Sequence, residues 1–309
     1  MDLDNVLKKI KEKKAKRILI QVPEGLKTTV QKFAEELEAN EIEVIISCES
    51  CYGACDLMDA EAKEMGCDLI LHIGHTDFGV KAKVPVIYEL YEKEFNPVPL
   101  LENNIQKLKK YKRICLVTTA QFLNTIKPAK EFLEKNGIEI FTNEQTRSGE
   151  KAQVLGCDYS AALPFENKVD CFLYLGTGIF HPLGLALKSK HPVFSLDFET
   201  GELTDFSDQK YKLEKIKAYH IGVAQDAQKF GILLTLKPGQ MLLRQAEQIK
   251  KKLESKGKKA YILAMHQVTP DKIMGLDLEV LINCSCPRMN EDFKLFKKPI
   301  LNPEDIDKI

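Results

Sequence analysis

Ser47-Cys48-Glu49-Ser50-Cys51-Tyr52-Gly53-Ala54-Cys55-Asp56 is the stretch on which the reading of this chain turns. It follows Glu43-Val44-Ile45-Ile46, a β-branched run that reads as a strand, and precedes Leu57 to Met65, which reads as a helix together with Asp56. A segment that leaves a strand and enters a helix lies at the carboxyl edge of a sheet, where open α/β folds place their ligands. Three thiols on such an edge need a use. Two other places repeat the situation: Gly156-Cys157-Asp158, and Asn283-Cys284-Ser285-Cys286-Pro287-Arg288 directly after an apolar run.

Outward from that stretch, strands and helices alternate. Residues 4–15 form a lysine-rich amphipathic pattern whose charges read as a solvated face. Arg17-Ile18-Leu19-Ile20-Gln21-Val22 reads as a buried strand closed by Pro23-Glu24-Gly25, and a helix is expected near Thr28 to Ala39. After the cysteine stretch come strands at 68–73 and 84–88. The order then restarts: Arg113 to Val117 as strand, a helix from Leu123 to Asn136 ending at Gly137, a strand over Ile138 to Phe141, a loop to Cys157, and strands over Val169 to Tyr174 and Pro192 to Leu196. A third pass is expected to begin with a strand at Tyr219-His220-Ile221-Gly222-Val223. A helix from Gly239 to Ser255 follows, then strands over Ala260 to Met265 and Leu278 to Asn283. Alternation of this kind implies right-handed crossovers and parallel sheets.

The fold class is therefore α/β: three related small domains with parallel sheets, arranged around a pseudo-threefold axis. Expected boundaries lie in polar or Pro-containing stretches, giving 1–97, 98–203 and 204–309. Such an axis brings three carboxyl edges together and accounts for one cysteine per domain: Cys55 and Cys157 after a second strand, Cys286 after a third.

Composition narrows the classes. Hydrophobic residues make up 44% and charged residues 29%, which is ordinary for a globular chain, and the formal net charge of zero gives no global attraction to nucleic acid or anionic lipid. No apolar run approaches a membrane span and the N-terminus lacks a signal-peptide core, so a cytoplasmic, soluble protein is expected. In a reducing compartment, nine cysteines point to metal or redox chemistry rather than disulfides. Cys67, Cys115 and Cys171 adjoin apolar strands and read as small buried hydrophobes. Six remain: Cys48, Cys51, Cys55, Cys157, Cys284 and Cys286.

Four thiolates close an iron–sulfur cluster, and three leave one iron open to a substrate. One cysteine from each region, Cys55, Cys157 and Cys286, fits that use. Gly53 lets the backbone turn beside Cys55, and a following helix N-terminus would favour its thiolate. Spacing leaves three alternatives open: a local cluster on Cys48-x-x-Cys51-x-x-x-Cys55, a structural zinc on Cys48, Cys51, Cys284 and Cys286, and incidental thiols with no shared site. Gly176-Thr177-Gly178-Ile179-Phe180-His181-Pro182-Leu183-Gly184 leaves a strand and enters a helix, so Gly176, Gly178 and His181 are candidates for holding a polar or anionic ligand, or form a tight turn with a satisfied histidine. His72 and His75 flank a strand end and are assigned no role. The absence of a Walker motif or a G-x-G-x-x-G after the first strand argues against a nucleotidase or a standard dehydrogenase.

Five stretches together resemble the archaeal diphthamide-biosynthesis radical enzymes: Gln21-Val22-Pro23-Glu24-Gly25-Leu26, Tyr52-Gly53-Ala54-Cys55-Asp56, Leu155-Gly156-Cys157-Asp158, Gly178-Ile179-Phe180-His181-Pro182-Leu183-Gly184 and Cys286-Pro287-Arg288. The resemblance spans nearly the whole chain in order. It implies a 4Fe–4S cluster at the meeting point of three α/β domains, with Cys55, Cys157 and Cys286 as ligands and no catalytic residue beyond them. It also implies S-adenosylmethionine, cleaved at its Cγ–S bond to a 3-amino-3-carboxypropyl radical, and transfer of that group to a histidine of elongation factor 2, the first step of diphthamide formation. A homodimer and an external electron donor come with it. Two functions of other kinds stand beside this one: a 4Fe–4S Lewis-acid dehydratase of quinolinate-synthase type, and a zinc-stabilised α/β binding module.

Overall fold

A computed structural model describes residues 3–309 of the chain. Three sheets carry it, two of four strands and one of five. In the first, α1 (Leu3–Glu12), β1 (Arg17–Gln21), α2 (Lys27–Glu38), β2 (Glu43–Ile46), α3 (Asp59–Glu64), β3 (Leu69–Ile73) and β4 (Val86–Glu89) follow in order, and the strands line up as β2-β1-β3-β4, all parallel. The second contains α4 (Val98–Leu108), β5 (Arg113–Thr118), α5 (Ile126–Lys135), β6 (Glu139–Phe141), β7 (Cys171–Gly176), α6 (Phe180–Lys188), β8 (Val193–Asp197) and β9 (Leu203–Asp205). Its order is β6-β5-β7-β8-β9, with only β9 antiparallel, so this sheet reaches Asp205, just past the boundary read at 203. The third has α7 (Ser207–Asp226), β10 (Lys229–Thr235), α8 (Leu243–Ser255), β11 (Lys259–Met265), β12 (Val280–Cys284), α9 (Phe293–Phe296) and β13 (Ile300–Leu301), in the parallel order β11-β10-β12-β13. Among the described residues no helix is long and apolar enough to cross a membrane.

The repeat is physical as well as topological. In each unit an acidic residue just ahead of the third strand accepts the backbone N–H groups at the start of the first. Asp68 takes Lys16 and Arg17, Asp170 takes Lys112 and Arg113, and Glu279 takes Gln228 and Lys229, at 2.6–3.0 Å. The same carboxylate clamp thus sets the register of β1 with β3, β5 with β7 and β10 with β12. Central strands are apolar on both faces, as a parallel sheet covered by helices requires. Ile18, Leu19 and Ile20 of β1 are all buried, Leu19 toward one core and its neighbours toward the other. Each contributes about 1.5–3 kcal/mol by leaving water, so both faces must be covered for the strand to persist.

Cys67, Cys115 and Cys171 lie in these cores, as their apolar surroundings predict. Two expectations are corrected. The run Tyr219 to Val223 is not a strand; it lies inside the 20-residue helix α7. His220 and Ala224 form its buried stripe at helical spacing, and the flanking Lys/Glu-rich sequence favours helix, so the strand preference of Tyr219, Ile221 and Val223 is outvoted. The helix expected directly after Cys55 begins only at Asp59 and is six residues long, so Cys55 does not immediately precede a helix N-terminus.

The clamps make a pH prediction. Asp68 is held below the ordinary carboxylate range by the Arg17 and Lys16 N–H donors, Asp170 by the Arg113 guanidinium and the same kind of backbone donors, and Glu279 by the Gln228 and Lys229 N–H groups. The folded state therefore favours their ionised forms. That stabilisation is in place above pH ~4 and is lost as pH falls through the lowered folded values. Combining Asp68→Asn, Asp170→Asn and Glu279→Gln should flatten the acid limb of the urea-midpoint profile between pH ~6 and ~3; a triple variant with an equally steep limb contradicts the clamp.

Candidate metal centre

Cys55 follows β2, Cys157 follows β6 and Cys286 follows β12, each beyond the carboxyl end of a parallel strand. The three thiols line one cavity of about 300 Å³, whose wall also includes His75, Phe180, His181 and Gln240. Among the described lining residues there is no carboxylate. A separate cavity of about 250 Å³ backs onto the same Gly156-Cys157 segment and is lined by Lys188, Lys217 and Arg288 together with Glu214 and Glu291; only Cys157 of the three reaches it.

Contacts between the units hold the three loops in place. The turn after β10 lies on the Cys55 loop: Gly239 N–H donates to the Cys55 carbonyl at 3.0 Å, Gln240 Nε2 to the Cys55 sulfur at 3.0 Å, and Lys237 pairs with Asp56 and stands 4.9 Å from the centre of the Tyr52 ring. Glycine at 239 is a steric necessity, since a Cβ there would lie 2.5 Å from Cys55 Cα and 2.8 Å from its carbonyl oxygen. Arg147 joins the first and second units, donating to the Phe78 carbonyl at 3.1 Å and to the Cys157 sulfur at 3.4 Å. Arg288 joins the third to the second. Its guanidinium donates to Tyr159 Oη and to the Phe180 carbonyl, stacks over the Phe180 ring at 4.2 Å, and is balanced by Glu291. An apolar plug of Ala54, Phe78 and Leu155 seals the first interface beside Cys55.

The protein surroundings raise all three thiols above their usual range. Desolvation lifts Cys55, offset by the Gln240 N–H. It lifts Cys157, although that side chain reaches solvent, and Arg147 opposes the rise. Cys286 is pushed up to about 11 by burial and then by the neighbouring Cys55 and Cys157. In the protein alone these are thiols at neutral pH, and a bound metal has to displace their protons. Once ionised, each sulfur of the Cys55–Cys157 pair has an N–H donor directed at it. Three soft donors with no carboxylate among the described lining residues fit an iron–sulfur cluster and do not suit calcium or magnesium.

The other sequence candidates are placed elsewhere. Cys48 is exposed, and Cys51 is buried behind the cavity wall beside His72. Cys284 sits fully buried in the core of the third sheet, so the structure does not gather Cys48, Cys51, Cys284 and Cys286 into one site. Gly176 and Gly178 are outside the thiol cavity. Both have positive φ, and the Gly178 N–H is already given to Asp197 at 3.1 Å. Between them, Thr177 lines an adjoining groove with Gly25 and Tyr174, and His181 borders both spaces. Burial pushes the His181 imidazole down to about 3, so it is neutral at physiological pH. Gln240, Arg147 and Gly239 were not picked out from sequence. Pro238-Gly239 signals a turn, but nothing local says that the turn lands on Cys55.

The chain matches the family model of diphthamide synthesis proteins over residues 22–308. It is 37% identical to the 2-(3-amino-3-carboxypropyl)histidine synthase of Pyrococcus horikoshii, over 98% of this chain and 88% of that protein. To the synthase of the same name from Methanocaldococcus jannaschii it is 27% identical, over 99% and 88%. Among solved structures, that of Dph2 from Pyrococcus horikoshii with a 4Fe–4S cluster matches 99% of this chain and 90% of that one, with a TM-score of 0.92 and 36% identity.

Because the Gly239 contact is with backbone, no side-chain rotation relieves a substitution there. Gly239→Ala should displace the Cys55 loop and lower the iron retained after anaerobic reconstitution several-fold, while the circular-dichroism spectrum keeps its α/β form. Full iron retention in that variant contradicts the seating of Cys55 on this turn.

Proposed function

Since this chain belongs to the family of diphthamide synthesis proteins, we propose that it is an S-adenosylmethionine-dependent 3-amino-3-carboxypropyl transferase that modifies a histidine of elongation factor 2 in the first step of diphthamide formation. The observation that carries this reading is the delivery of Cys55, Cys157 and Cys286 by three sheet edges into one cavity, whose described lining residues include no carboxylate. These three residues would hold a 4Fe–4S cluster. When bound, the cluster supplies the single electron that cleavage of a sulfonium requires, replenished by an external donor. The reading carries with it a cytoplasmic homodimer.

The chain's own residues do the positioning. Which carbon–sulfur bond breaks depends on which carbon lies opposite the incoming electron, so the wall around the sulfonium selects the product by orientation. Phe180 and Leu155 make part of that wall apolar and limit water beside the reacting sulfur. His75 and His181 are both held neutral by burial, so neither adds a competing cation or a ready proton at neutral pH. Gly176 and Gly178 shape the turn that carries Thr177 into the adjoining groove, and His181 borders groove and cavity alike; that junction suits an adenosyl group whose sulfonium points toward the thiols. The acceptor is a protein side chain, and the cavity rim suits one: Tyr52 and Phe180 line it while remaining substantially exposed, with exposed Ile179 next in the chain. Large apolar side chains left exposed together beside a cavity are a feature of protein-docking surfaces.

Anaerobic reconstitution should give a brown protein with about four irons per chain, and reduction with dithionite in the presence of S-adenosylmethionine should release 5′-methylthioadenosine. Cys55→Ala, Cys157→Ala and Cys286→Ala should each lower iron content and abolish that product. A reduced, iron-loaded wild-type sample that yields none of it defeats the proposal and favours Lewis-acid chemistry at the same centre. A colourless protein with one tightly held zinc points to the binding module instead.

A further inference from the structure

Beside the thiol cavity, and sharing His75 with its wall, lies a second group of side chains whose ligating capacity the function above does not use. Cys51 comes from the cysteine loop, His72 from the end of β3, and His75 from the turn that follows. Cys51 Sγ is 3.9 Å from His72 Nε2, which is 3.0 Å from His75 Nδ1. Among the described residues, this is the group of three His, Cys, Asp or Glu whose ligand atoms all lie within 4.8 Å of one another. We propose that Cys51, His72 and His75 form a second metal site, separate from the three cavity thiols, for a divalent ion of zinc character.

The geometry suits such an ion. Zinc–nitrogen bonds of about 2.05 Å and zinc–sulfur bonds of about 2.3 Å in a tetrahedron separate two nitrogens by about 3.3 Å and a nitrogen from a sulfur by about 3.6 Å. The observed 3.0 and 3.9 Å differ from these by amounts a small side-chain rotation absorbs. One thiolate with two imidazoles is a zinc-type donor set, and it leaves the fourth position to water.

Hydrogen bonding alone satisfies this group poorly. Cys51 and His72 are 3% and 0% exposed, yet the thiol is a weak donor at a long distance and His72 Nδ1 has no partner. Binding forms one metal–sulfur and two metal–nitrogen bonds and releases the Cys51 proton to solvent. Around the group, the Tyr88 ring lies 5.6 Å from His72 and the Phe78 ring 6.5 Å from His75, an apolar shell that limits water. The consequence is mechanical: the ion would tie the loop bearing Cys55 to the end of β3, adding a second fixed point to the contact with Gly239.

The test uses protein whose iron–sulfur cluster has been reconstituted, so that the cavity thiols are occupied. Zinc is added, excess is removed by gel filtration, and zinc and iron are counted by mass spectrometry. One zinc per chain is expected in the wild type. Cys51→Ser and His72→Asn should each weaken zinc binding by about 100-fold or more, since even outer-shell changes cost about 10–100-fold, while iron stays unchanged. No retained zinc in the wild type, or undiminished zinc in both variants, overturns the proposal. So does iron falling together with zinc in Cys51→Ser, which would assign that sulfur to the cluster. X-ray absorption at the zinc edge of the wild-type protein requires no variant: a shell of one sulfur with nitrogen or oxygen supports the site, and a shell without sulfur or with several sulfurs refutes it.

Discussion

The seating of Gly239 on the backbone of Cys55 is the contact from which the rest of the site takes its geometry. It joins the third unit to the first at the point where a sulfur must face inward, and it does so through main chain, so the separation is set by van der Waals limits rather than by a flexible side chain. The neighbouring Gln240 N–H and the Lys237–Asp56 pair come from the same turn. One short segment thus places the loop, orients its sulfur and balances the nearest carboxylate. Arg147 and Arg288 perform comparable work at the other two interfaces, each using a branched guanidinium that satisfies two or more partners at once.

Three small sheets need such joints. Each buries its own strands, but the carboxyl edges end in loops that carry polar backbone and thiols and do not pack by themselves. Bringing three of these edges together covers them against one another. The carboxylate clamps at the opposite, amino ends of the strands set register within each sheet. The ends nearest the cavity are left to the inter-unit contacts. Register and site geometry are therefore specified by different residues at different ends of the same strands.

Much of this was legible in sequence because it is local. Strands such as Ile18-Leu19-Ile20 announce themselves as continuous apolar runs, and turns after β2, β6 and β12 put cysteines on the ligand-bearing edge. Family resemblance then singled out Cys55, Cys157 and Cys286 from six candidates, and the structure brings those three to one cavity. What failed or was missed is non-local. Tyr219 to Val223 has strand-like letters, but the stripe formed by His220 and Ala224 in α7 emerges only when twenty residues are read at helical period. Gln240 and Arg147 act on sulfurs 185 and 10 residues away, so no motif around either announces the contact. His72 and His75 were set aside as structural because their partner, Cys51, is a neighbour only after β3 has paired with β1.

The electrostatics of the thiols explain why so many contacts converge on a few sulfurs. An unliganded Cys286 held near 11 is neutral, and the cavity around it is lined by apolar and uncharged polar side chains, with the Arg147 guanidinium at the Cys157 sulfur. Ionising three thiols there without a cation would place like charges together in low dielectric, and their mutual repulsion already contributes to the raised values of Cys157 and Cys286. A metal centre reverses the balance, because each thiolate it creates is neutralised at the atom where it forms. The N–H groups of Gln240 and Arg147 gain strength in the same event, since a donor to an anionic sulfur is worth more than a donor to a thiol. The folded chain therefore does not hold three thiolates together while waiting for its metal. It holds donors, backbone contacts and neutral imidazoles in positions whose full electrostatic value is realised only when the sulfurs are ligated.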